Sequence, residues 1–178
     1  MKNFKVVICL LFIWQNSFSQ CDLIKPKDDF STTKKTITQD QKIIGVLALL
    51  SDKASWDLSL KFADVDGALR IILTHQCDYN NSGSGIVQSI FFKFKNDSII
   101  KKYNRIFTQS VREGSQYFTY SAFLISKDEL ESFSTQELDK VRVKFYADFD
   151  YPEVDAEIKK KFGERVKKNA NCLFVELK

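Results

Sequence analysis

The sequence predicts a mainly β or α+β fold, an antiparallel sheet or sandwich of six to seven strands with a C-terminal amphipathic helix. Three observations carry this. Apolar and polar residues alternate at period two over several short segments, which puts the apolar set on one face of a strand. Those segments are joined by runs of Gly, Asn, Asp and Ser, the chemistry of tight turns, and not by helical crossovers. One segment near the C-terminus repeats its apolar residues every four positions, as a helix lying on a sheet does.

Residues 1–20 read as a cleavable export signal. Lys2 and Lys5 precede the uncharged apolar run 6–14, and Ser17 and Ser19 supply the small-x-small pattern of a cleavage site. A bilayer span takes roughly 20 apolar residues, so the run is too short to be an anchor. Cys21 stands where a bacterial lipoprotein carries its lipidated cysteine, with Phe18 and Gln20 in place of the usual flanking residues, and is a candidate lipidation site. The destination is the periplasm, the envelope or the exterior. Residues 21–40, polar and broken by Pro26, are expected as a flexible leader, and 41–178 as a single β-rich globular domain.

Removing residues 1–20 takes two lysines and no acid, leaving 25 basic and 23 acidic residues and a net charge of +2. Lys/Arg and Asp/Glu interleave along most of the chain, so no basic face concentrates enough charge for nucleic acid, and none is expected as a partner. Sixteen phenylalanines provide the mass of a real core. Three cysteines outlast the signal, in a compartment that permits disulfides; Cys77 with Cys172 is the expected pair.

The elements follow in order. Residues 43–50 are continuously apolar and fit either a strand or a buried helical turn. Trp56, Leu58, Leu60 and Phe62 alternate with polar residues, and Leu69, Ile71, Leu73, His75 and Cys77 share a face after the turn at 63–67, which makes a hairpin. Residues 78–85 should form a surface loop. Residues 86–95 and 99–109 form a second hairpin, and 117–125, apolar on both parities, a central strand. Ser126 and Glu129 form a capping box that opens a short helix at 127–132. Val141, Val143, Phe145, Ala147 and Phe149 mark a further strand. The last helix should start near Asp155, where acids face the helix dipole, and bury Ile158, Phe162, Val166 and Ala170, with Gly163 a weak point.

Candidate chemistry is sparse. His75, the single histidine, and Cys77 project to the same strand face, but i and i+2 side chains stand roughly 7 Å apart, and structural burial explains both. Asp64 and Asp66 before Gly67 resemble part of a calcium loop whose remaining ligand places, Phe62 and Leu73, are apolar; a hairpin turn explains them. Asp148, Asp150, Glu153 and Asp155 gather four carboxylates that a loop and a helix start would account for. The run Lys159, Lys160, Lys161, Arg165, Lys167 and Lys168 reads as a solvated helix face. Neither a nucleophile elbow, nor a zinc-protease motif, nor a phosphate-binding glycine loop occurs.

No cofactor and no metal are therefore expected. The reading this supports is a non-enzymatic exported binding or interaction module of the bacterial envelope or secretome. Its partner is another protein or an envelope component, and its contact surface is the loop Asp78, Tyr79, Asn80 and Asn81. Membrane contact would come only through a lipid on Cys21. The alternative is a small secreted hydrolase of polysaccharide or peptidoglycan that uses Asp148 and Asp150.

Overall fold

The two-residue turn Asp66–Gly67 sets the first hairpin. Both residues have positive φ, 53° and 81°, as a type I′ turn demands, and this turn matches the twist of the strands it joins. The computed structural model describes residues 21–26, 33–44, 56–78, 86–146 and 153–178. Among the described residues it holds eleven strands in two antiparallel sheets, and two helices. The predicted signal at 1–20, the apolar run 45–50, most of the loop 78–85 and the acids Asp148 and Asp150 lie outside the described residues.

The first sheet has seven strands: β1 (Leu23–Ile24), β2 (Lys35–Thr38), β3 (Gln41–Ile44), β4 (Trp56–Val65), β5 (Ala68–Asp78), β8 (Arg105–Glu113) and β9 (Gln116–Leu124). Their order is β1-β2-β4-β5-β9-β8, with β3 also on β4. The second has four: β6 (Val87–Phe94), β7 (Ile99–Lys102), β10 (Leu138–Phe145) and β11 (Glu153–Glu157), in the order β11-β10-β6-β7. Helix α1 (Lys127–Thr135) follows β9, and α2 (Lys160–Glu176) closes the chain.

Period two explains which faces meet. Leu58, Leu60 and Phe62 of β4, Ile71 and Leu73 of β5, and Phe123 of β9 are fully buried. So are Ile90, Phe92 and Phe94 of β6 and Val143 of β10, and all of them belong to one core cluster. Helix α1 ties the two sheets together through one ring. Phe133 meets Phe62 of the first sheet and Phe92 and Phe94 of the second edge-on, with centroids 5.2, 5.0 and 5.1 Å away. The capping box forms as expected: Ser126 Oγ accepts from Glu129 N, and Glu129 Oε2 accepts from Ser126 N.

The segment 21–40, expected as a flexible leader, contributes β1 and β2. β2 pairs with β4 from Lys35↔Val65 to Ile37↔Ala63, and β3 takes over on the same flank at Gln41↔Leu60. Between them the Thr38 hydroxyl accepts a hydrogen bond from the Phe62 amide at 2.9 Å, filling a rung that neither strand supplies. Lys34 N donates to Asp66 Oδ1 at 2.7 Å, pinning the incoming chain to the first hairpin turn. Short strands with one buried face leave too little periodicity to be read in a polar sequence.

Two further expectations are corrected. Residues 99–109 do not form one strand: β7 ends at Lys102, the chain turns at Tyr103 and Asn104, and β8 joins the other sheet. Arg105 secures this corner, donating from Nη1 to the Val87 carbonyl at 3.0 Å and lying 5.1 Å over the Tyr146 ring. The last helix does not start near Asp155. Residues 153–157 form β11, with Val154 buried and Glu153, Asp155 and Glu157 exposed. The alternation outweighs the acid cluster because it lets β11 add a hydrogen-bonded edge to β10.

Gly163 is also not a weak point. A Cβ there would stand 2.9 Å from the Leu138 carbonyl oxygen, so the missing side chain is what lets α2 approach β10. Of the stripe read on the last helix, Val166 and Ala170 are buried on α2 and joined by Leu173 and Phe174, Phe162 is half-buried, and Ile158 is buried just ahead of the helix.

Candidate functional site

Cysteine chemistry comes first, because it changes the expected pairing. Cys172 is bonded to Cys21 and not to Cys77. The register explains the choice of partner: β1 pairs with β2 through Leu23↔Thr38, and α2 packs on β2, so the start of the chain lies beside the end of the last helix. An ion pair between Lys25 and Glu176 marks the same junction. A sulfur in a disulfide cannot carry a thioether-linked lipid, so the Cys21–Cys172 bond and a lipid on Cys21 are mutually exclusive forms of the chain. Cys77 lies at the end of β5, opposite Trp56 and Tyr117.

His75 is fully buried, its ring 5.1 Å from that of Phe145. Burial lowers its pKa to about 4, against the opposing pull of the Asp57 carboxylate. At neutral pH it is an uncharged core side chain, sealed from solvent. Asp64 and Asp66 sit at the first hairpin turn, and no group of three or more potential metal ligands occurs among the described residues. Of the proposed contact loop, Asp78 ends β5, while Tyr79, Asn80 and Asn81 lie outside the described residues.

The surface that the described residues do assemble is on the outer face of the second sheet. Register builds it. Asp155↔Arg142, Arg142↔Phe91 and Phe91↔Lys101 are successive pairs, so one row crosses all four strands as acid, cation, ring, cation. The neighbouring row runs Glu157, Lys140, Lys93, Ile99. With Tyr103, and without Glu157, the residues of these rows line a cavity of about 330 Å³. Phe91 meets the Tyr103 ring edge-on at 5.3 Å, and Lys101 Nζ stands 5.8 Å over Phe91.

Charge across this face is graded. On the β11 side, Arg142 is gripped by Asp155 through two hydrogen bonds of 2.6 Å and by Glu153 at 3.3 Å. The Arg142 hydrogen bond holds the Asp155 carboxyl below the usual carboxylate range. Lys140 pairs with Glu157 at 3.1 Å, and Lys93 with Asp97 at 2.8 Å. Lys101 has no carboxylate partner among the described residues and rests on the aromatic ring alone. Tyr103 and Ile99 beside it are more than half exposed, at 58% and 51%. Exposed apolar side chains are costly to leave in water, and a ligand that covers them here can also pair with the Lys101 ammonium.

No protein-family model matches the chain, and neither a curated protein nor a solved structure matches it. The site therefore has to be judged on its own chemistry. Rings, aliphatic stems and cations on a rigid sheet face recognise and hold; they offer an acidic ligand hydrogen bonds and apolar cover at once.

Sequence reasoning missed this surface. Phe91, Lys101, Lys140 and Arg142 each read singly as half of an ordinary alternation. The signal was present as register, since the turn at 95–98 fixes Phe91 opposite Lys101, but the partnering of β10 with β6 joins residues 51 positions apart, as Arg142 and Phe91 are.

Proposed function

We propose that the protein is an exported, non-enzymatic binding module that holds an acidic, apolar-flanked segment of a partner protein against the outer face of its second sheet. The observation that carries this reading is the row Asp155, Arg142, Phe91, Lys101, in which cations alternate with an aromatic floor. β11 already shows what such a ligand does, since its Asp155 occupies Arg142 in a two-pronged pair. An acidic side chain arriving over β7 would find Lys101 in the matching place, with Ile99 and Tyr103 to receive its apolar neighbours. The paired cysteines favour an oxidising compartment outside the cytoplasm. No described helix is long and apolar enough to cross a membrane.

The test uses a labelled peptide alternating Glu with Leu or Phe, and a control in which Gln replaces every Glu. Fluorescence anisotropy should show binding of the acidic peptide alone, weakening as salt rises. Lys101→Glu should weaken it by about tenfold or more, and Tyr103→Ala should weaken it several-fold, roughly 1 kcal/mol. Equal binding of both peptides, or indifference to Lys101→Glu, would remove this assignment.

A further inference from the structure

The last strand of the first sheet is open on one side. β8 ends the order β1-β2-β4-β5-β9-β8, and no described strand pairs with its outer edge. Alternate N–H and C=O groups along that edge are thus presented outward, a template for another strand. Natural proteins blunt such edges with charge, proline or brevity. β8 does not: it is nine residues long, its centre from Ile106 to Val111 carries no charge, and residues 106–110 are all exposed. Ile106 and Phe107 keep 43% and 48% of their surface in water.

The sequence of this edge says what would cover it. Turned antiparallel on itself about Gln109, β8 places Phe107 opposite Val111 and Thr108 opposite Ser110. Farther out, beyond the bulge between Arg105 and Phe107, Arg105 and Glu113 bring opposite charges to each end. Ile106 falls opposite Arg112, whose aliphatic stem alone can cover it, while the three pairs about the axis and the two terminal charges match, as a two-fold contact between identical strands requires. The rows behind the edge extend the match. Phe107, Gln109 and Val111 share a face with Ala122, Tyr120 and Phe118 of β9, so pairing would join two apolar stripes into one.

We propose that a second copy of this chain is the occupant, and that two molecules pair β8 to β8 in antiparallel register with the two-fold axis at Gln109, fusing their first sheets into one continuous sheet. A single strand pair covers less surface than a permanent dimer interface, so the association is concentration-dependent. It leaves the groove on the second sheet untouched and does not depend on any ligand there.

Sedimentation velocity on the purified, disulfide-bonded protein, from about 1 µM to about 1 mM, tests it. A monomer–dimer equilibrium is expected. Gln109→Lys and Gln109→Glu each set like charges face to face across the axis, and each should weaken dimerisation by about tenfold or more. Because Gln109 is exposed, neither should disturb the fold, which circular dichroism checks. Mixing the two variants one to one places Lys opposite Glu and should restore the dimer. A protein monomeric throughout the range, a dimer indifferent to both substitutions, or a mixture that fails to reassociate would each overturn the proposal.

Discussion

His75 shows how one buried side chain ties stability to pH. The imidazole is fully buried, faces the Phe145 ring, lies opposite Leu58 and Thr119 in the sheet, and feels the Asp57 carboxylate. Its pKa in the folded protein is about 4, below the ordinary imidazole value of 6.5. Between those values the unfolded chain binds a proton that the folded chain does not, so stability rises with pH across that window. The contribution is complete above about pH 6.5 and is lost as pH falls toward 4, amounting to about 3 kcal/mol. Urea denaturation from pH 7 to pH 4.5 should show the midpoint falling in the wild-type protein and falling less in His75→Leu. Parallel curves for the two proteins would mean that the proton goes elsewhere.

At the scale of elements, α2 owes its position to an absence. With its nearest backbone neighbour 2.9 Å from where a Cβ would lie, Gly163→Ala must push the helix away from Leu138, and that neighbour is backbone, which cannot rotate aside. Helix propensity alone would make the change stabilising by about 1 kcal/mol. Overpacking of this kind costs about 1–3 kcal/mol, and a net loss in chemical denaturation is the expected sign. A gain would show that α2 shifts freely. The same helix marks the boundary of what the sequence discloses. Its stripe of Val166 and Ala170 was legible because the period is strong, as were the β4–β5 hairpin, with its Asp-Gly turn, and the capping box of α1. Its start was not, because Glu153, Asp155 and Glu157 satisfy both an acidic first turn and the solvent side of a strand. Only the demand of β10 for a partner decides between them. β8 was hidden for a related reason: residues 99–109 contain neither Gly nor Pro to mark the corner where the chain changes sheets, and the holding contact, Arg105 to the Val87 carbonyl, is non-local.

Across the whole molecule, the proposed binding surface and the stability of the fold both depend on pairings far apart in sequence, which local patterning cannot reveal. The groove draws Phe91, Lys101, Arg142 and Asp155 from four strands, and no stretch of chain carries more than a fragment of it. The disulfide is the extreme case. Cys21 and Cys172 are separated by 151 positions, so their bond closes nearly the whole folded chain into a loop. Chain-entropy arguments assign such a closure at most about 5 kcal/mol, acting by restricting the unfolded state. β1 is only two residues long and pairs with β2 alone, so the bond is also what keeps the start of the chain beside α2. Reduction, or the double change Cys21→Ser with Cys172→Ser, should lower unfolding free energy by about 2–5 kcal/mol. It should also raise hydrogen exchange first at residues 21–26, while β5 and β9, flanked on both sides, stay protected. Cys77→Ser should leave the 21–172 bond intact, and peptide mapping of the oxidised protein checks this directly. Recovery of a fragment joining Cys77 to Cys172 in the native protein would refute the pairing, and with it the anchoring of the N-terminal strand.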